Sequence, residues 1–275
     1  MLQAAPLALL LAAFLVVPIA MILVVSFWKF LGFTYTPGFV FTNYQKIFTT
    51  PTQLKLFVNT LRLFVPTYLS TLVLGYLIAY HLAFDVRKQA TQTFMFALCV
   101  IPFLTSSVIR TIAWVPFLGR NGIVNGALMH LGIIHEPLSF LLFSEFAIVF
   151  CYTQMFAGFM VAPIFNLMAR IEPSIIEAAR DSGASGGQIF RWIVLPLTIP
   201  GAAIGTIFVL IMVASDVSIA KLLGGGQTGT VAIAMSNQVS MVQYPLACAV
   251  AIVLLVLILL IVTPILRLVD IRRQL

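Results

Sequence analysis

Few residues in this 275-residue chain are of types that perform chemistry, and their spacing excludes most of it. His130 and His135 stand beside Glu136 in a pattern that invites a metal, but Gly132 and Pro137 interrupt the straight helix face such a pair would need. Cys99, Cys151 and Cys248 lie inside apolar runs with no repeated spacing, so they suggest neither a disulfide framework nor a metal cluster and read as packing residues. No G-x-x-x-x-G-K-[ST] loop occurs, which leaves the chain without a phosphate cradle for ATP; Gly224-Gly-Gly-Gln-Thr-Gly229 lacks the lysine and reads as a turn. Three ionisable groups remain within or at the edge of apolar runs, where charge is costly and therefore points to function: Arg110, Glu145 and Asp216. The two acids would attract a cationic solute in a water-filled path, whereas Arg110 would repel one. A pairing of Arg110 with Glu145 or Asp216 is therefore expected, the alternative being a charge that snorkels to the membrane surface.

The elements that must position these groups are membrane spans. The chain is 61% hydrophobic and 8% charged, with a mean hydropathy of +1.11. A soluble fold of this length needs a polar skin that 15 Lys+Arg and 8 Asp+Glu cannot supply, so soluble enzymes and nucleic-acid binders are excluded. The net charge of +7 then reads as orientation charge at a membrane surface. Stretches long enough for a helical span lie at Pro6–Trp28, Phe57–Tyr80, Thr93–Leu118, Phe140–Met168, Pro196–Ser215 and Pro245–Leu266, which predicts an all-α membrane protein of six spans in a single integral domain. The first reads as a retained anchor, because no Lys or Arg precedes it and its apolar run exceeds the roughly 7–15 residues of a signal core. The runs are continuous rather than alternating, which excludes a β-barrel.

Six spans place both termini on one side. Arg87, Lys88, Arg170, Arg180, Arg191, Arg267, Arg272 and Arg273 crowd into short segments, whereas Lys29, Lys46, Lys55, Arg62, Arg120 and Lys221 are spread over longer ones. Charge density close to span ends favours cytoplasmic termini and a cytoplasmic 170–195 loop. The opposite loops, Lys29–Leu56, Gly119–Ser139 and Asp216–Tyr244, have the Pro, Gly, Asn and aromatic content of folded loops at a water-facing mouth.

The cytoplasmic loop has helical logic. Pro173 suits a first helical position, Glu177, Ala178 and Ala179 are strong helix formers, and Gly183 stands where a helix would be capped and turned. A two-turn helix followed by a sharp bend is expected. Ile175, Ile176 and Ala179 place apolar contacts on one side, while Glu177, Arg180 and Asp181 stay polar. Such a helix is too short to be stable alone and needs a surface to dock on.

The pattern Glu177-Ala178-Ala179, Gly183, Ile193, Leu195-Pro196 resembles the EAA motif of ATP-binding-cassette (ABC) importer permeases at every defining position. Ile101-Pro-Phe-Leu-Thr-Ser-Ser-Val-Ile-Arg-Thr-Ile-Ala-Trp114, Asn121-Gly-Ile-Val-Asn125 and Leu222-Leu-Gly-Gly-Gly226 are similar to the spermidine/putrescine branch of the type I members, and Asp216 stands where that branch carries Glu. The resemblance implies the type I permease fold and a coupling helix that docks on an ATPase dimer. Glu177 would be its polar contact, Ala178 and Ala179 its small face, Gly183 the bend, and Leu195-Pro196 the opening of the fifth span. It also implies a second permease subunit, identical or homologous, a solute-binding protein, and residence in a bacterial inner membrane. No cofactor is expected in this chain, ATP and Mg belonging to the partner ATPase, and no nucleic acid is a partner. The implied solute is a polyamine, with iron, phosphonates, amino acids and opine-like compounds as alternatives. Two rivals are weaker: an ion-driven carrier would favour inverted repeats and more intramembrane acids, and a membrane-embedded enzyme would need an acid/base or nucleophile constellation near one leaflet.

Overall fold

The computed structural model describes residues 5–32, 34–86, 88–101 and 105–268. Arg87, Arg272 and Arg273 of the charge count, and residues 102–104 of the third predicted span, lie outside the described residues. The described residues form two compact units, one from residues 5–60 with 229–260, the other from 61–228 with 261–268.

The first unit opens with α1 (Ala5–Ser26), a two-residue hairpin pairing Lys29 with Thr36 and Phe30 with Tyr35, and α2 (Thr42–Thr49). Asn43 is the knot that ties them, its amide donating to the carbonyls of Ser26 (2.8 Å) and Trp28 (2.9 Å). The rings of Phe27, Phe39, Phe41 and Tyr44 pack against one another nearby in the chain, Phe27 stacked on Phe39 and edge-on to Phe41. The beginning of α3 (Pro51–Tyr80), α12 (Val231–Ser240) and most of α13 (Tyr244–Leu268) complete the unit. Thr60 Oγ1 accepts from the Val231 amide at 3.1 Å, and Thr230 caps α12 through the Ile233 amide at 3.3 Å.

The second unit holds the remainder of α3, which runs into a π turn at His81–Asp85, then α4 (Gln89–Val100), α5 (Ser107–Leu118), α6 (Ile123–His130), α7 (Glu145–Met168), α8 (Pro173–Asp181), α9 (Gly186–Ile189), a second π turn (Phe190–Val194), α10 (Leu195–Ser215) and α11 (Ser218–Leu223). Its core is the contact of α7 with α10. Gly201 and Gly205, spaced one helical turn apart, let the backbones approach: a Cβ at Gly201 would lie 2.6 Å from the Pro163 carbonyl oxygen. Met160, Ile164, Val209, Leu210 and Val213 fill the seam and are buried. Ser144 starts α7 by accepting from the Ala147 amide at 3.1 Å, with Glu145 in the first turn where a carboxylate complements the helix dipole.

Four helical stretches among the described residues have the length and composition to cross a membrane: Pro51–Asp85, Glu145–Met168, Gly186–Ser215 and Tyr244–Arg267; α1 supplies a shorter apolar run, Ala12–Ser26. Large apolar side chains are exposed along them, Leu77 at 62% and Leu260 at 70%, as lipid-facing helices require. Three details differ from expectation. The stretch predicted as a third span is carried by two twelve-residue helices, α4 and α5, which end and begin on either side of residues 101–106. The predicted fifth span begins near Gly186 rather than at Pro196. The predicted loops 119–139 and 216–244 contain α6, α11 and α12. Buried Asn125 holds the former, accepting from the Leu138 amide at 2.8 Å and donating to the carbonyls of Gly119 (3.1 Å) and Leu138 (3.3 Å).

Candidate functional site: the coupling helix and the charges of the spans

Helix α8 begins with Pro173 at its first position, where the missing N–H costs no hydrogen bond. It ends in a complete Schellman motif. The Gly183 amide donates to the Arg180 carbonyl (2.9 Å) and the Ala184 amide to the Ala179 carbonyl (3.0 Å), with Gly183 at φ +83°. The Ser182 hydroxyl adds a bond to the Ala178 carbonyl at 2.8 Å. The short helix is therefore closed at its C-terminal end within the chain itself. Glu177, Ala178 and Arg180 are exposed, Ala179 is half-buried and Ile176 is buried. Ile175, expected on the inner face, is 43% exposed, because only one position per turn of so short a helix reaches the body of the protein.

Beneath α8 lies a cavity of about 680 Å³, bounded by Tyr80, Gln89, Gln92, Ala169, Ile176, Glu177 and Arg180 among others. Glu177 therefore belongs both to the exposed surface and to the rim of this cavity.

After Gly183 the chain turns straight into a new helix. Ser185 and Gln188 form a capping box: the Ser185 amide donates to Gln188 Oε1 (2.8 Å) and the Gln188 amide to Ser185 Oγ (3.4 Å). The signal, Ser-x-x-Gln, is present in the sequence and explains why the fifth span starts early. Pro196 stands at the start of α10, just after the π turn at Phe190–Val194, in a helical path that already begins at Gly186. A proline within a helical path removes one donor and crowds the preceding turn, and a π turn is one of the ways a helix absorbs this. Ile193 and Leu195 are half-buried and Pro196 is exposed. The π turn at the end of α3, His81–Asp85, lies close by. Phe190 packs edge-on against Tyr76 (5.8 Å between centroids) and Tyr80 (6.1 Å), and Thr198 donates to the Tyr76 hydroxyl at 3.3 Å. None of these aromatic contacts was legible beforehand.

The three charges of the spans are not brought together. Glu145 pairs with Arg62 of α3 at 3.1 Å, not with Arg110. Asp216 lies just past the end of α10 and caps α11, its Oδ2 accepting from the amides of Ile219 (2.9 Å) and Ala220 (3.2 Å) and from the buried Tyr152 hydroxyl (3.2 Å). Burial pushes its carboxyl above the ordinary carboxylate range, and these donors partly offset the shift. Arg110, in the first turn of α5, has its Nε and Nη1 buried without a hydrogen-bond partner; Nη2 makes a long contact, 3.5 Å, with the Thr105 carbonyl.

The membrane-length helices α7 and α10 are connected through the short, sharply capped amphipathic helix α8 and the brief α9. No protein-family model matches the chain. It is 31% identical over 215 residues to the spermidine/putrescine transport system permease protein PotB of Haemophilus influenzae, an overlap of 78% of this chain and 74% of that one. To PotB of Salmonella typhimurium it is 31% identical over 189 residues, 69% of this chain and 64% of the relative, so it spans slightly under two thirds of that protein's length. Two crystal structures of a bacterial ABC transporter involved in the import of the acidic polysaccharide alginate, one in complex with an alginate pentasaccharide-bound periplasmic protein, share the fold. Each has a TM-score of 0.74, at 20% and 18% identity, covering 96% of this chain and 92% and 91% of theirs. The chain belongs to the ABC importer permease family that includes the spermidine/putrescine permeases.

Proposed function

We propose that this chain is the membrane-spanning permease subunit of a binding-protein-dependent ABC importer in a bacterial inner membrane, crossing it six times with both termini in the cytoplasm. The observation that carries the reading is the geometry of α8: an exposed, C-terminally locked two-turn helix with Glu177-Ala178 on its outer surface, followed directly by a long span. A contact that transmits force needs this kind of rigid, small-faced element on a firm base. In this reading an ATPase dimer, which binds the ATP and Mg, closes around α8 and carries it along. The spans reorient toward a solute-binding protein, and hydrolysis resets them. A second permease subunit supplies the other half of the path. The chain itself performs no covalent chemistry.

The solute named for the relatives makes a polyamine such as spermidine or putrescine the first molecule to test. A second reading, a solute that carries a phosphonate or carboxylate, is favoured by one observation: Arg110 has no carboxylate partner among the described residues.

The test is purification of the tagged chain from its host in mild detergent, wild type beside Glu177→Lys, with mass spectrometry and an ATPase assay. The wild type is expected to bring down an ATPase and a second permease, and the variant to insert normally yet lose the ATPase or its stimulated activity. A wild-type chain that purifies without any nucleotide-hydrolysing partner would sink the reading and turn attention to an ion-driven carrier.

A further inference from the structure

Among the described residues of the second unit, Arg110 alone keeps buried side-chain nitrogens without a hydrogen-bond partner. Glu145 is engaged by Arg62, and Asp216 by Tyr152 and two backbone amides. The remaining described acids are Asp85, Glu136, Glu172, Glu177 and Asp181, none of which forms an ion pair with Arg110. The guanidinium nevertheless points two buried, unpartnered nitrogens into the protein. Arg110 lines a cavity of about 310 Å³ whose other walls include Ser107, Met155, Phe156 and Met212. That volume holds roughly ten waters at about 30 Å³ each, enough for a small organic anion. An unpaired, partly desolvated guanidinium costs free energy unless something answers it, and its fork of donors matches a carboxylate or phosphonate. The apolar walls lower the local dielectric and so strengthen that attraction.

We propose that this cavity is an anion subsite on the solute's route, in which Arg110 takes a carboxylate or phosphonate group of the transported molecule. The proposal rests on the permease reading above and narrows its solute class: a simple polyamine gives Arg110 no anion, whereas a molecule bearing both an amine and an acid does. Ser107 stands beside Arg110 as a second polar contact.

Trp114 lies one turn beyond Arg110 on α5, its ring 5.0 Å from Phe150, and serves as the reporter. The full chain is placed in phosphatidylcholine nanodiscs and titrated at fixed ionic strength with methylphosphonate, with its uncharged dimethyl ester as the control. The expected result is a saturable fluorescence change with methylphosphonate alone, competed by 4-aminobutyrate and not by putrescine. Affinity should fall at least tenfold in Arg110→Gln and less in Arg110→Lys, whose point charge keeps attraction but not the fork. A wild-type chain that does not respond, or that responds equally to the neutral ester, overturns the proposal without recourse to any variant. So does a response present in the lone chain and absent from the co-purified transporter, because a carboxylate of the second permease then fills the site. A preparation that recruits its ATPase yet ignores the anion sinks the subsite and leaves the permease reading standing. One that binds the anion but recruits no ATPase does the reverse.

Discussion

Gly183 separates two explanations of the proposed coupling segment, because its surroundings and its backbone make opposite demands. Its φ is +83°, in the left-handed region, yet a Cβ built there meets nothing within 4 Å. Crowding inside the chain therefore cannot make glycine necessary; only the backbone conformation can. An ordinary L-residue in this region costs about 1–2 kcal/mol, Asn tolerates it better, and a β-branched side chain does worse. A penalty of that size lowers the population of the closed turn by a factor of roughly 5–30. It falls on the two hydrogen bonds that lock α8, from Gly183 to Arg180 and from Ala184 to Ala179. The expected order of ATPase coupling is therefore Gly183, then Asn, then Ala, then Val, although Asn is larger than Ala. The assay is ATP hydrolysis stimulated by solute-loaded binding protein in the reconstituted transporter, with co-purification of the ATPase as a second readout. An order that follows side-chain volume, with Gly183→Asn worse than Gly183→Ala, would refute the turn argument and place the constraint in a surface pressed against the partner.

Other expectations concern the frame that holds the segment. Gly201→Ala places a methyl 2.6 Å from the Pro163 carbonyl oxygen and 3.1 Å from Ile164 Cα, both backbone, and should destabilise the α7–α10 seam by about 1–3 kcal/mol. Gly126→Ala meets nothing within 4 Å inside α6 and should stabilise by about 0.5–1 kcal/mol; equal thermal unfolding temperatures for the two variants in detergent would count against this packing. Asp216→Ala removes a cap worth about 1 kcal/mol and strands the buried Tyr152 hydroxyl at a further cost of about 1–3 kcal/mol. Tyr152→Phe should then cost much less on the Asp216→Ala background than on the wild type, and additive losses in a double-mutant cycle would show that the two groups act independently.

Helix α8 could be read from the sequence because its signals are local: proline at the first position, helix formers through Ala179, glycine past the end. Those same signals do not say which way so short a helix faces. Over nine residues a shift of one position moves a side chain by about a quarter turn, and Ile175 consequently lies outward although its type suggests otherwise. The fifth span misled for a related reason. Pro196 looks like a start because prolines favour first turns, but the Ser185–Gln188 capping box supplies a stronger start ten residues earlier, and the π turn lets the helix pass through the proline. The third predicted span was a continuous apolar run in the sequence. Hydropathy alone carries no record of where the backbone of such a run breaks, and the division between α4 and α5 was therefore not legible.

Charge pairing shows the limit most clearly. Arg110, Glu145 and Asp216 were identifiable from cost alone, since an ionisable group in an apolar run needs a reason. Their partners were not, because pairs form across the fold. Arg62 meets Glu145 from another helix, and Asp216 is satisfied by amides three and four residues on together with a tyrosine from α7. Once the two acids are accounted for in this way, neither balances Arg110, and in the proposed subsite a polycation would meet a guanidinium with no carboxylate partner among the described residues. Either the molecule that passes brings an anion, or a neighbouring chain does. The first alternative makes the response to methylphosphonate a property of the assembled transporter, and the second abolishes it on assembly. The comparison of lone chain with complex therefore decides what kind of solute this permease was built to admit.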